Sequence, residues 1–254
     1  MKRVIQVKNR TIGDGIPKIC VPIVEETKDN IIKEATMIKD MPVDIVEWRV
    51  DWFEDSTDCN KVKDILVILS EILIDLPILF TFRTKREGGN KDIAVSDYID
   101  LNEVAINTGL IDFIDVELFT GESEALSLIE YAHQHHCYVI ASNHDFDRTP
   151  SKSEILKRLC KMQDLGADIP KIAVMPNHLS DVFTLLEATS EMKELHASGP
   201  IITMAMGSLG LISRLSGEFF GSSITFASAN KKSAPGQMPV SEISTILELI
   251  HKNL

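Results

Sequence analysis

Lys171 lies in the run Asp168-Ile169-Pro170-Lys171-Ile172-Ala173-Val174-Met175, which reads as a buried strand. An ammonium enclosed in such a run must be ion-paired, or it must lower its pKa and become a neutral amine. A neutral amine in an enclosed site attacks ketones and aldehydes and forms a Schiff base. The plainer reading is a strand-end lysine whose stem snorkels to water. Other charged residues decide between the two. Glu47-Trp48-Arg49-Val50-Asp51 splits by its period of two into a charged face, Glu47, Arg49 and Asp51, and an apolar face of Val46, Trp48 and Val50. The split recurs with Leu79, Thr81 and Arg83 against Ile78, Phe80 and Phe82, and again with Asp115 and Glu117 against Ile114, Val116 and Leu118. Ile140, Ser142 and His144 share a face, and Lys171 is in register with Ala173 and Met175. A surface edge strand gives one such alternation, but three consecutive charged strands cannot all be edges. A polar site inside a closed sheet accounts for all of them together.

The elements that must position these side chains alternate along the chain. Candidate strands lie near Ile19–Val24, Ile45–Val50, Ile78–Arg83, Phe113–Leu118, Tyr138–His144, Pro170–Met175, Ile201–Met206 and Ile224–Ala227. Helical periodicity fills Asp29–Ile38, Asn60–Ile74, Asp97–Thr108, Glu122–His135, Ser153–Leu165 and Leu179–Glu194, with a last helix over Ser241–Lys252. Ser151 and Ser153 before Glu154, and Ser241 before Glu242, read as helix starts. Strand–helix alternation means a parallel sheet, and eight strands is the number that closes a (β/α)8 barrel, whose chemistry sits at the C-terminal mouth. An open doubly wound sheet is the competitor, but no GxGxxG follows an early strand. Val4 to Ile12 alternate around Asn9-Arg10 and read as a short N-terminal β-hairpin plugging the opposite mouth. No linker or repeat divides the chain, so residues 1–254 are expected to form one barrel domain.

Beyond the strands, Glu87 follows the third, Arg214 follows the seventh, and Met204 and Met206 share a face of the seventh. The last strand leads into Ser228 to Gln237, small residues with a Pro235-Gly236 turn, which reads as a mobile lid. The formal net charge of -12 argues against nucleic acid or an anionic membrane as partner, while leaving room for a small anion held by focused arginines. The most apolar stretch, Ile65 to Phe80, is interrupted by Ser70, Glu71, Asp75 and Pro77 and cannot span a bilayer. Met1-Lys2-Arg3 leads straight into an alternating segment rather than a secretory signal. Cys20, Cys59, Cys137 and Cys160 are scattered without a CxxC pair, which disfavours structural zinc and disulfides and suits a reduced cytoplasm. His133, His135 and His136 have no thiolate or carboxylate completing a ligand set, so no metal is expected.

At these residues the chain resembles the type I 3-dehydroquinate dehydratases of the shikimate pathway. The resemblance runs the full length. It rests on Glu47-Trp48-Arg49-Val50-Asp51, Phe80-Thr81-Phe82-Arg83 with Glu87-Gly88-Gly89, Ser142-Asn143-His144-Asp145-Phe146, Ala167 to Ala173, Ser213-Arg214 and Ser233 to Gln237. It implies a dimer of (β/α)8 barrels without cofactor or metal, serving aromatic amino acid biosynthesis or quinate breakdown. By position, Lys171 would form the Schiff base, His144 would be general base and acid, and Glu87 would hold His144. Arg214 would clamp the substrate carboxylate. Glu47, Arg49, Arg83, Ser233 and Gln237 would bind hydroxyls and close the pocket, with Met204 and Met206 lining it. Pro22 departs from the family, where a small hydroxyl residue often ends the first strand, and Gly207-Ser208 carries no assignment. Burial and the cations Arg49, Arg83 and Arg214 are expected to lower the Lys171 pKa.

Two other functions fit parts of the pattern. A class I aldolase also carries a Schiff-base lysine on the sixth strand of a barrel, but the His144 and lid segments argue for dehydration. A non-catalytic barrel binding a polyhydroxy acid would need the arginine clamp without Lys171 and His144 together.

Overall fold

The computed structural model describes residues 2–118 and 121–254. Among them, eight parallel strands form one sheet: β3 (Lys18–Ile23), β4 (Ile45–Arg49), β5 (Ile78–Thr81), β6 (Phe113–Glu117), β7 (Tyr138–Asp145), β8 (Ile169–Val174), β9 (Ile202–Ala205) and β10 (Ile224–Phe226). Their order is sequential, β10 pairs back onto β3, and the amide of Ser223 donates to the Ile201 carbonyl at 2.8 Å where β9 meets β10. The result is a nearly closed barrel of the expected class. Outside it lie α1 (Lys28–Ile38), α2 (Cys59–Ile72), α3 (Val95–Asn107), α4 (Glu122–Gln134), α5 (Lys152–Asp164), α6 (Leu179–Glu191), α7 (Leu211–Leu215), α8 (Gly217–Phe220) and α9 (Val240–His251). The antiparallel hairpin of β1 (Ile5–Val7) and β2 (Arg10–Ile12) forms a separate sheet.

The period of two sorts each strand as expected. Val46, Trp48, Phe80, Ile114 and Val116 are buried between sheet and helices. The inward faces begin with an apolar layer of Cys20, Ile45, Leu79, Phe113, Ile140, Ile169, Ile202 and Ile224, onto which the hairpin's Ile5, Val7 and Ile12 pack. Two residues further along β4 to β8 the interior turns polar, with Glu47, Thr81, Asp115, Ser142 and Lys171, while Met204 and Phe226 keep β9 and β10 apolar. Register then fixes heights: Lys171 lies opposite Ser142, Ser142 opposite Glu117, and His144 opposite Ala173. His144 therefore stands two residues, roughly 6.6 Å along the strand, nearer the C-terminal mouth than Lys171.

At the N-terminal end an acidic device repeats on alternate strands. Asp44, Asp112 and Asp168 precede β4, β6 and β8, and each carboxylate accepts the amide of the preceding strand's Ile19, Ile78 or Val139, at 2.9, 2.8 and 2.8 Å. The Ser222 hydroxyl accepts the Thr203 amide at 3.0 Å at the fourth such place. The three carboxylates also pair with basic residues of the N-terminal arm: Arg10 to Asp44 at 2.9 Å, Lys8 to Asp112 at 3.5 Å and Arg3 to Asp168 at 2.7 Å. The hairpin is thus latched to the strand starts it covers.

Several boundaries differ from the sequence expectation. The hairpin turns at Lys8-Asn9, with Lys8 at φ 47°, and Arg10 begins β2. The second barrel strand stops at Arg49, and Val50–Trp52 form a 3-10 turn. The last helix starts at Val240 behind Pro239, so Ser241 is inside it and caps nothing. Ser151 does cap α5, accepting from the Glu154 amide at 3.3 Å. α6 ends at Glu191 in a π-turn over Met192–His196. Of the clustered histidines, His133 binds Asp168 at 2.9 Å and His135 bonds the Tyr131 carbonyl at 2.9 Å.

Candidate active site

A cavity opens at the C-terminal mouth. Its wall includes every candidate named from the sequence: Lys171, His144, Glu87, Glu47, Arg49, Arg83, Arg214, Ser233, Gln237, Met204 and Met206. The Lys171 amine, on a side chain 4% exposed, is 3.4 Å from Asp115 Oδ2, 4.0 Å from Glu47 Oε1, and 4.3 Å from the centre of the Phe226 ring. The charged groups in contact with it are therefore carboxylates, where the sequence reading set arginines around it. Glu47 is held by the Thr81 hydroxyl at 3.0 Å. Burial alone would raise the Asp115 carboxyl, but Arg83 and Lys171 beside it outweigh that and hold it below the usual range.

His144 Nδ1 meets Glu87 Oε2 at 2.9 Å, and the same oxygen accepts the His144 amide at 3.0 Å. Burial pushes the His144 pKa well below its ordinary value, and Arg83, Lys171 and Arg49 push it the same way. A neutral ring whose Nδ1–H donates to Glu87 leaves a lone pair on Nε2, the form a general base requires. Glu87 reaches this place through a 3-10 turn (Lys85–Glu87) that ends at Gly88 with φ 82°. A side chain on Gly88 would sit 2.2 Å from the Phe146 ring, and one on Gly89 would sit 1.8 Å from the Arg83 carbonyl. Only glycine fits both, so this pair fixes how Glu87 approaches His144.

The arginines divide by what they hold. Arg83 bonds Asp115 at 2.8 Å, Glu117 at 2.9 Å and the Ser142 hydroxyl at 2.9 Å, and lies 3.6 Å from Glu87. Burial would lower its pKa, but Asp115, Glu117, Glu87 and Glu47 reverse that and raise it. Arg49 forms a two-pronged pair with Asp51, both bonds at 2.8 Å. Asp51 does not line the cavity as its strand alternation suggested. It is fully buried in the 3-10 turn and also accepts the Asn90 amide at 2.9 Å, so its work is to hold Arg49 and the loop after β5. Arg214 is different. It is buried, its guanidinium donates to the Pro235 and Phe226 carbonyls at 3.1 and 3.5 Å, and it has no carboxylate partner among the described residues. Burial lowers its pKa to about 10, with no anion to oppose the shift. A buried cation without a counter-charge is costly, and an anionic ligand in the cavity would supply one.

Ser233, Ala234 and Gln237 of the loop after β10 line the same cavity. Ser233 donates its amide to Gln237 Oε1 at 2.8 Å, and Gln237 Nε2 donates to the Ser233 hydroxyl at 2.9 Å. Gly207 donates its amide to the Pro235 carbonyl at 3.2 Å, and a side chain on Gly236 would meet the Gly207 carbonyl at 2.4 Å. Lys231 pairs with Glu25 at 2.8 Å. Gly207, which carries no assignment from the sequence, is where this loop docks. Pro22 is buried beside Glu47 in the sheet and does not line the cavity. Sequence reasoning marked Asp115 and Glu117 as inward but gave them no task, and missed Phe226. The signal for the carboxylates lies in the sequence, since inward arginines and lysine need counter-ions. Phe226 under an amine leaves no such trace.

The profile of the type I 3-dehydroquinase family matches residues 19–254. The chain is 53% identical to the 3-dehydroquinate dehydratase of Clostridioides difficile (strain 630), covering 100% of both. It is 54% identical to that of Listeria innocua, covering 99% of each. A crystal structure of the type I 3-dehydroquinate dehydratase from Clostridium difficile with covalently modified comenic acid superposes with a TM-score of 0.98 at 53% identity, over 100% of both chains. The structure of 3-dehydroquinate dehydratase from Enterococcus faecalis does so with a TM-score of 0.91 at 42% identity, over 96% of this chain and 98% of that one.

Proposed function

The chain belongs to the type I 3-dehydroquinase family, and from that premise we propose how its own residues carry the reaction. It is a 3-dehydroquinate dehydratase, a hydro-lyase of the shikimate pathway working through a Schiff base. The residue roles rest on one observation: an amine, an imidazole with a free Nε2 and a guanidinium without a carboxylate partner share one cavity. The whole chain acts as one barrel domain.

Arg214 takes the substrate carboxylate in a two-pronged pair, which fixes the ring with its ketone toward Lys171. The Lys171 amine, having given up its proton, adds to the C3 carbonyl, and water leaves to give an iminium. The iminium draws electrons from C2, whose proton becomes acidic enough for an imidazole. His144 Nε2 takes that proton, and Glu87 stabilises the imidazolium through Nδ1, as an acid does in a catalytic triad. The electron pair of the resulting enamine expels the C1 hydroxyl, which leaves as water with the proton that His144 returns. One base serving both ends makes the elimination syn. Water then hydrolyses the iminium, freeing Lys171 and 3-dehydroshikimate. Glu47, Arg49 and Arg83 face the ring hydroxyls from below, Met204 and Met206 pack its apolar edge, and Ser233 and Gln237 cover it. No cofactor or metal takes part in these steps.

The chain works as a homodimer in the cytoplasm, with the small-molecule substrate as its ligand and neither nucleic acid nor membrane as partner. Support for a self-associating surface comes from Leu179 and Phe183, both exposed and four residues apart on one face of α6. No helix among the described residues is long and apolar enough to cross a membrane. Incubation with 3-dehydroquinate tests the reaction: the short-wavelength ultraviolet absorbance of a conjugated enone should rise, and Lys171→Ala should abolish the rise. Carbon–carbon cleavage products without the enone would mean an aldolase instead.

A further inference from the structure

His144 and Glu87 are backed by side chains that run outward to the helix layer and that the steps above do not use. Asn143, the residue before His144 on β7, is buried and does not line the cavity. Its Nδ2 donates to Glu87 Oε1 at 3.3 Å, and its Oδ1 accepts from Arg158 Nη1 at 2.9 Å. Arg158 projects from α5, where its Nε donates to Glu154 at 2.8 Å and its Nη1 lies 3.9 Å from Asp145. A guanidinium can only donate, so the amide oxygen must face Arg158 and the amide nitrogen must face Glu87. The amide cannot turn over without setting oxygen against carboxylate at one end and nitrogen against guanidinium at the other.

We propose that Asn143, oriented by Arg158, is a positioning residue for the dehydration: its amide keeps Glu87 an acceptor, and Glu87 keeps His144 in the tautomer whose Nε2 takes the substrate proton. The inference rests on the reading of His144 as the base. Glu87 needs the help because its surroundings oppose its charge. Burial and Glu117 push its carboxyl upward, and Asp115 adds to them, while Arg83 and the Asn143 amide pull it back. His144 faces it from β7, and Lys171 and Arg49 add positive charge around the ring. Without the amide, Glu87 takes up a proton at a higher pH and can no longer stabilise the imidazolium. The acid limb of kcat must then move to higher pH.

Asn143→Asp keeps the shape and the acceptor for Arg158 but removes the donor to Glu87. Its kcat at pH 7 should fall by at least about tenfold, part of the ~10²–10⁴ that a positioned acid–base group contributes. Its KM should stay within about threefold of wild type, since neither Asn143 nor Arg158 reaches the cavity. The acid limb of kcat should shift upward, and borohydride should still trap substrate on the enzyme. Arg158→Leu should move the limb the same way by less, and the double variant should be no worse than Asn143→Asp alone, because the two act in series. A folded Asn143→Asp protein with wild-type kcat and acid limb overturns the proposal. If that variant does not fold, an unmoved limb in Arg158→Leu overturns it. Wild-type enzyme that failed to dehydrate 3-dehydroquinate would instead remove the reaction on which the inference rests.

Discussion

Arg214 and His144 are the two residues whose replacement should separate binding from chemistry. Arg214→Ala removes the cation assigned to the substrate carboxylate, and bonds to a charged group are worth about 1.5–3 kcal/mol. KM should therefore rise roughly ten- to hundredfold, with kcat less affected. A KM unchanged in steady-state kinetics would take Arg214 out of the clamp. His144→Ala should lose ~10²–10⁴-fold in kcat while its Lys171 still forms a borohydride-trappable adduct. The protonation state of His144 gives a second check. Its folded-state pKa is depressed, by burial first and then by Arg83, Lys171 and Arg49. Nitrogen-15 spectra should show a neutral, Nδ1-protonated ring even as pH falls through 6.5, the ordinary value for histidine. The unfolded chain does take up a proton there, so this group costs stability as pH falls below its unfolded pKa and costs none above it. Protonation near the ordinary value would contradict the buried, cation-ringed site. At this scale the sequence was legible because alternation assigns a face to each side chain. It does not say which residue stands across the barrel. Hence the Lys171 environment was read as arginines, where register brings Asp115 and Glu47 to it.

Two elements make predictions of their own. The lid carries Ser233 and Gln237, which bond each other over the mouth, and Gln237→Ala should weaken substrate binding while Lys171 still forms some adduct. Closure around substrate would exclude water from the imine, so saturating substrate should slow protease nicking between residues 230 and 237. Equal nicking rates with and without substrate would reduce the loop to a connector. The hairpin latch is the other element. Asp168 is buried and satisfies the Val139 amide, whereas Arg3, its partner, is mostly exposed. Asp168→Ala strands a buried donor and should cost about 1–3 kcal/mol. Arg3→Ala should cost less than about 1 kcal/mol, as surface pairs do. Urea titrations of the two variants would show equal losses if the latch worked through the ion pair rather than the backbone bond. Strand and helix order was legible from periodicity. The short α7 and α8 were not, because helices of five and four residues give no repeating face. The early end of β4 was not either, since Val50 and Trp52 continue an apolar alternation into a turn.

For the molecule as a whole, an acidic chain encloses a cavity in which one cation lacks a counter-charge. The formal net charge is -12, and carboxylates balance Arg49, Arg83 and Lys171, which leaves Arg214 to attract an anion. Long-range attraction of an anionic substrate then depends on local focusing, and raising ionic strength should affect kcat/KM modestly. Sedimentation tests the proposed dimer: Phe183→Glu places a charge on the exposed apolar face and should shift the protein toward monomer. An unshifted dimer would place the interface elsewhere. The mechanism turns on Lys171 becoming covalently bonded to the substrate ketone. Borohydride added during turnover of 3-dehydroquinate should inactivate the enzyme, and digestion with mass spectrometry should find the mass of the reduced adduct on the peptide containing Lys171. Continued activity, or a label confined to another residue, would contradict it.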